Sequence, residues 1–289
     1  MGHLYWHKKR LVVLGPKIEG LPDDHRSKPE CLLQLSRLFN SVGNCVEYKR
    51  LLLYTLKLHR DRRDAFLVAE TLRFVSDANR NLGLYKEGTR QAKEALGIYE
   101  RLNNIVGQAR SWQQLAWLLY DDKQLDVAED AASRAINLVS GKGDQFPVCE
   151  CHRILGKICR SKGETDKAIK HFETALGIAT TFNWHGQLFW IYHSLAQLSS
   201  GENRLDEAHA HAERAKSYAV NDQYRLGRVM ELQARFWYKQ RKFEEAGSGA
   251  SRAANVYAKI GAADDVEACK VILRNIEEAV NKPSGSGSH

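Results

Sequence analysis

The sequence predicts an all-α solenoid of stacked helix–turn–helix pairs, and three observations carry the prediction. An apolar pattern recurs at a step of about 40 residues, each copy has helical spacing, and small residues hold the same places in every copy. The clearest copy runs from Gly163 to Leu176. Gly163 supplies a permissive turn, and Thr165 and Asp166 suit a helix start. Ala168, Ile169, Phe172, Ala175 and Leu176 then form one apolar face. Alanine at 168 and 175 lets a neighbouring helix approach closely, and Phe172 fills the space between them.

The same pattern precedes and follows this copy. Lys123 leads to Leu125, Ala128, Ala132 and Ala135, and Gly83 leads to Tyr85, Gly88, Ala92, Ala95 and Leu96. A fainter copy starts at Gly43 with Cys45, Tyr48, Leu52 and Leu56. Downstream, Asn203 leads to Leu205, Ala208, Ala212 and Ala215, and Arg241 to Phe243, Ala246, Ala250 and Ala253. A partner helix lies half a repeat upstream, as in Trp112, Leu115, Ala116 and Leu119, or His152, Leu155, Gly156 and Cys159.

A large residue, Leu and a small residue, followed by Gly-x-Tyr, Ala, an aromatic and Ala-Leu, resembles the tetratricopeptide repeat, a helix–turn–helix unit. The resemblance spans residues 29–261. It implies a right-handed α-solenoid of about six repeats, starting near residues 29, 69, 109, 149, 189 and 227. The extra residues of each unit, such as Asn103 to Gln108, resemble the longer variety found in large regulatory ATPases and adaptor proteins. In such an array each pair buries one side against its neighbours, and no pair folds alone.

The flanks read differently. Within residues 1–28, Tyr5 to Leu14 is a basic-apolar run with Trp6, Lys8, Lys9 and Arg10. It is too short to span a bilayer and lacks the small-residue site of a signal peptide, so it reads as a helix capping the first repeat. Gly15-Pro16 ends it, and Gly20 to Asp24 is a turn cluster. The first repeat begins near Pro29, with helices over roughly 30–42 and 45–60. Residues 262–281 read as a capping helix, with Val266, Cys269, Val271, Ile272 and Ile276 inward and Asp264, Asp265, Glu277 and Glu278 toward solvent. Residues 282–289 read as a linker and tag remnant, and Met1-Gly2-His3 as similar.

Charge and chemistry narrow the function. The net charge is +8, but residues 1–63 hold 13 of the 43 Lys/Arg and only 6 of the 35 Asp/Glu. The repeats are therefore nearly balanced. Nucleic-acid or anionic-surface binding would have to rest on the N-terminal end, where a solvated basic segment is the simpler reading. No phosphate-binding Gly-rich loop, His-Glu-x-x-His or Gly-x-Ser-x-Gly motif occurs. None of the six cysteines is in Cys-x-x-Cys spacing. Cys149, Cys151 and His152 are close in sequence, but residues two apart on a helix point to different faces. Free buried thiols imply a reducing, cytoplasmic setting. His193, His209 and His211 lack a companion acid or nucleophile. The expectation is a protein with no enzymatic activity, no cofactor, no metal and no membrane span.

The resemblance further implies that the first helix of each repeat lines a concave groove. Carried onto this sequence, the groove positions are Arg73 and Asp77; Arg110, Gln113 and Trp117; Arg153 and Lys157; Trp190, His193 and Gln197; and Arg228, Glu231 and Arg235. Arginine forks suit carboxylates or phosphates, and tryptophan suits apolar anchors and cations. The expected partner is a protein or peptide segment, acidic in character, fixed by Arg110, Arg153 and Arg235 and packed on Trp117 and Trp190. The carboxylate clamp of chaperone-binding relatives is not matched, because its asparagine places hold Arg37 or Asp77 and Phe74 or Gln114. Segments such as Leu32–Gly43, Ser111–Asp122 and His171–Ala179 resemble the C-terminal repeats of fungal signal-transducing NTPases of the innate-immunity-receptor type. That resemblance implies a sensor module served by an upstream NTPase domain. A self-assembling structural array is the remaining alternative.

Overall fold

In the computed structural model the described residues are 13–41, 44–139, 143–220 and 222–281. The regularity of the chain originates in its turns. Arg63, Gly83, Asn103, Lys123, Gly163, Asn183, Asn203, Arg241 and Gly261 all have positive φ, between 51° and 79°. Each sits just past a helix and turns the next backbone N–H back onto that helix. Leu84, Asn104, Gln124, Glu164, Trp184, Arg204 and Lys242 donate in this way to the carbonyls of Asn79, Tyr99, Leu119, Cys159, Ala179, Ser199 and Trp237, at 2.8–2.9 Å. This is the 6→1 bond of a left-handed helix stop. At these nine joins the left-handed residue stands about 20 residues, half a repeat, or a multiple of that from the next, and first and second helices there end by the same device.

Lys123 fills such a position at φ 65° without the help that Asn side chains give. Lys123→Gly is expected to raise stability by up to about 1 kcal/mol, relief of left-handed strain outweighing the added entropy of the unfolded chain. Urea unfolding of the two proteins measures it, and a fall in the midpoint would contradict the turn geometry.

The starts are not alike. Four first helices are capped by side chains: Asp64, Asn104, Asp144 and Asp222 accept from the backbone N–H of Leu67, Gly107, Phe146 and Arg225. The first helix after Trp184 has no side-chain cap, and the second helix after Asn44 has one, which accepts from the Glu47 N–H. Second helices that follow Leu84, Arg204 and Lys242 have no side-chain cap. The resulting helices are α1 (Lys28–Ser41), α2 (Cys45–Asp61), α3 (Ala65–Asn81), α4 (Tyr85–Arg101), α5 (Ile105–Asp121), α6 (Leu125–Val139), α7 (Gln145–Ser161), α8 (Thr165–Thr181), α9 (His185–Gly201), α10 (Leu205–Ser217), α11 (Gln223–Lys239), α12 (Phe243–Ile260) and α13 (Ala263–Asn281). From α3 onward the first helices begin four residues ahead of the starts read from apolar spacing, while α1 begins near its expected start. At α3, α5, α7 and α11 the acidic or amide cap opens the helix before its first buried residue.

The chain forms two compact units, residues 1–178 and 179–289, which divide within α8. In the first unit, the small residues admit neighbouring helices as expected. Ala128, Ala132 and Ala135 of α6 are fully buried with Leu118, Ile154 and Ile158. In α8, Ala168, Phe172 and Ala175 are fully buried, and Gly156 leaves room for the Phe172 ring, which a Cβ there would meet at 2.6 Å. In the second unit, Ala208, Ala212 and Ala215 pack with Phe189, Val229 and Phe236.

At the N-terminal flank, residues 13–19 are helical. Glu19 takes both terminal nitrogens of Arg50 at 3.0 Å, and Ile18 packs on Leu32, Leu35, Leu51 and Leu58. The basic run through Arg10 lies outside the described residues, as does the tail from 282. At the other flank, Cys269, Ile272 and Ile276 are buried, but Val271 is 42 % exposed. Asp265 is half-buried and paired with Arg228 at 3.4 Å, not turned to solvent. Val271 lies one residue off the buried 269–272–276 stripe, and Asp265 lies on it. Among the described residues no helix is long and apolar enough to cross a membrane.

Candidate functional site on the first helices

Helical spacing of three and four residues aligns side chains in stripes. In the first unit one stripe on each of three first helices shares a spacing: Phe66, Glu70, Arg73, Asp77 and Arg80 on α3; Val106, Arg110, Gln113, Trp117 and Tyr120 on α5; Phe146, Glu150, Arg153, Lys157 and Arg160 on α7. First helices contact the next first helix, α3 with α5 and α5 with α7, while α4 and α6 make no such contact with each other. The stripes therefore stand side by side on the closely packed face of the unit. Each opens on an exposed apolar residue, Phe66, Val106 or Phe146, and then becomes polar.

Trp117 is the centre of this face, and it is 5 % exposed. Its indole N–H donates to Glu150 Oε2 at 3.1 Å. The guanidinium carbons of Arg80 and Arg153 lie 5.1 and 4.4 Å from its ring, and Lys157 Nζ lies 5.1 Å from it. Glu150, also buried, takes Arg153 Nε at 3.0 Å and a terminal nitrogen at 2.6 Å in a two-pronged pair. Arg80 reaches Asp121 at 3.2 Å and Asp77 at 3.7 Å. Arg110 is spent on Asp144, the cap of α7, at 2.7 Å. Glu70 accepts from the Tyr99 hydroxyl and pairs with Arg73 at 3.5 Å. Burial alone would raise the Glu70 pKa, but Arg73 and the Tyr99 hydroxyl hold it below the ordinary value.

Lys157 differs from these neighbours. Its Nζ lies over two rings, Trp117 at 5.1 Å and Tyr120 at 4.9 Å, and it has no hydrogen-bond acceptor or ion-pair partner among the described residues. Burial, and then Arg153, push its pKa down to about 7; Asp121 opposes the shift, while Arg160 and Arg80 add to it. The unfolded chain holds this proton up to the ordinary lysine range, so between about pH 7 and 10 the unfolded state binds more protons. Stability contributed here is expected to rise with pH across that window, and Lys157→Met is expected to flatten the rise. Urea midpoints at pH 7 and 9 for both proteins provide the comparison.

In the second unit, α9 contacts α11 and α11 contacts α13. Glu231 is 6 % exposed and gathers Arg228 at 3.3 Å, Arg235 at 2.9 and 3.1 Å and the Tyr257 hydroxyl at 3.1 Å. Trp190 is half-buried, edge-on to Phe189 and to His193, and His193 is buried. Gln197 is half-buried.

The structure thus brings the sequence-derived positions of each unit onto one stripe per helix, but gives several a different task. Gln113, Trp117, His193 and Glu231 are buried, and Arg153 and Arg110 are committed to carboxylates of the chain itself. Spacing alone did not single out Arg80, Glu70 or Glu150, nor the apolar openings Phe66, Val106 and Phe146; their recurrence at the repeat step was the available signal. The thiols of Cys149 and Cys151 are buried, and Cys149 Sγ donates to the Ala175 carbonyl at 3.5 Å. His152 instead meets His171, Nδ1 to Nδ1 at 3.0 Å. His209 packs against Phe236 and Trp237, and His211 against Tyr192. Among the described residues no group of three or more His, Cys, Asp or Glu could hold a metal ion.

The tetratricopeptide repeat family matches residues 154–182. No curated protein matches the sequence. Among solved structures, a Rap protein complexed with competence and sporulation factor is similar at a TM-score of 0.69 and 14% identity, over 94% of this chain and 80% of that one. The Rap conjugation gene regulator of the plasmid pLS20, in complex with the Phr* peptide, is similar at 0.62 and 14% identity, over 88% of this chain and 75% of that one. The signal transduction ATPase with numerous domains from Pyrococcus horikoshii, which has a tetratricopeptide repeat sensor, is similar at 0.58 and 15% identity, over 95% of this chain and 48% of that one. The chain carries a tetratricopeptide repeat and is an all-α protein with the fold of tetratricopeptide solenoids.

Proposed function

We propose that the chain is a non-catalytic recognition module that holds a protein or peptide segment along its first-helix faces, as the sensor or scaffold part of a signalling system. The observation that carries this reading is the recurrent stripe of the first unit: α3, α5 and α7 each align an exposed apolar opening with polar and charged side chains, and these neighbouring first helices set their stripes side by side. An extended segment laid across them meets an apolar opening on each of the three helices, followed by polar and charged groups that differ from helix to helix. Two of the similar structures are described as complexes with a factor or a peptide, and a third as an ATPase with a repeat sensor; both support the reading, the latter also a place beside a larger signalling NTPase. A preformed face lowers the ordering cost of binding on the receptor side.

A peptide array probed at low and moderate salt tests it. Arg37 is exposed and its guanidinium lies over the Phe74 ring at 5.3 Å, beside the stripe of α3, so Arg37→Glu alters the face without opening the core. Peptides bound by the parent are expected to weaken tenfold or more in Arg37→Glu. Binding indifferent to that substitution would move recognition to the second-helix faces or to the N-terminal end.

A further inference from the structure

We propose that Lys157 is the group on the first-unit face that receives a carboxylate of the bound segment, held between the rings of Trp117 and Tyr120. This rests on the peptide-recognition reading above. An ammonium carries three donors, and here all three lack an acceptor, while every neighbouring carboxylate is already engaged. Glu150 serves Arg153 and the Trp117 indole. Asp121 serves Arg80. The remaining groups facing the amine are positive: Arg153 and Arg160 on its own helix and Arg80 from α3. The two ring faces attract the cation but accept no ordinary hydrogen bond. A cationic ligand would add repulsion. A dianionic phosphate would call on fork donors that Arg80 and Arg153 have already committed. A single carboxylate matches one free ammonium in an aromatic corner.

A consequence distinguishes this site from an ordinary surface lysine. An approaching carboxylate favours the charged amine, while its surroundings favour the neutral one. Binding above pH 7 therefore takes up a proton, and affinity falls as pH rises. Between pH 6.5 and 8.5 the fall is expected to reach roughly twentyfold.

The experiment selects dodecapeptides by display on the full chain at pH 6.5. Calorimetry on the selected peptides follows at pH 6.5, 7.5 and 8.5, in two buffers of different ionisation enthalpy, with the parent, Lys157→Met and Lys157→Arg. Each peptide is also made with single Asp→Asn or Glu→Gln changes and with an amidated C-terminus, which separates side-chain from terminal carboxylates. One carboxylate is expected to matter at least tenfold in the parent and not in Lys157→Met. The parent is expected to take up a proton at pH 8.5, and Lys157→Arg to bind without pH dependence. Peptides lost in Arg37→Glu yet indifferent to Lys157→Met and to pH would overturn the assignment and leave peptide recognition standing. Selection of no peptide would instead count against recognition, and a second arm then decides the lysine alone. In that arm the 13C-lysine resonance missing from Lys157→Met is followed with added acetate. A higher titration midpoint in acetate supports the site, and an unmoved midpoint overturns it.

Discussion

Trp117→Ala is expected to lower stability by about 3–5 kcal/mol, as truncation of a buried indole does. The side chain is 5 % exposed and lies in the core cluster with Leu115, Ala116, Leu118 and Cys151. Truncation removes the packing partner of Tyr120, whose ring is edge-on at 6.1 Å. It also withdraws the indole N–H from Glu150 and strips the ring face from Arg80, Arg153 and Lys157. Three cations then face a cavity with less to hold them apart from one another. Urea unfolding measures the loss, and a cost under about 1 kcal/mol would show that the indole does not fill this site. Trp117→Phe separates the terms: the ring remains and the hydrogen bond to Glu150 goes, so about 1–2 kcal/mol is expected. A residue with this much structural work is a poor probe of ligand binding, which is why the recognition tests use Arg37 and Lys157.

The fold was legible because its cause is local and repeated. Alanine at 128, 132 and 135, or at 208, 212 and 215, can face only a closely approaching helix, and all six are fully buried. The turn residues were half legible. Gly83 and Gly163 announce a left-handed stop, whereas Arg63, Lys123 and Arg241 adopt it against their intrinsic preference. The caps Asp64, Asn104 and Asp144 stood at the same step and fix the helix starts, but apolar spacing does not register a cap. The site was legible as a set of positions and not as a set of roles. Helical phase places Gln113, Trp117, Glu231 and His193 on the stripe, yet phase does not report how closely the next first helix covers it. Nor does it report partners: Arg153 faces Glu150 one turn away on its own helix, and Arg110 reaches the cap of the helix beyond. Lys157 has the same phase as Asp77 and Trp117, and only the structure shows that every nearby carboxylate is taken.

Glu231→Ala is expected to cost about 3–5 kcal/mol in the second unit, for a reason opposite to that at Trp117: the loss lies in what is left behind. Glu231 is buried and accepts from Arg228, Arg235 and the Tyr257 hydroxyl. Without it Arg228 keeps only Asp265, at 3.4 Å, and its Nε, already without a hydrogen-bond partner, stays buried. The Tyr257 hydroxyl loses its acceptor in a fully buried side chain. Removing one partner of a buried pair strands the others, which is the expensive direction. Arg235→Ala is the matched control. Its side chain is 49 % exposed, so its pair with Glu231 is largely screened and less than about 1 kcal/mol is expected. Glu231→Gln divides the charge from the hydrogen bonds, because the amide oxygen can still accept from Tyr257 while the pairing with two arginines is lost. If the cost of Glu231→Gln approaches that of Glu231→Ala, the carboxylate acts as a counter-charge; if it falls near 1 kcal/mol, hydrogen bonding to Tyr257 is its main task. Equal small losses for Glu231→Ala and Arg235→Ala would mean that the arginines find water on losing the carboxylate, and that this hub is not buried in solution.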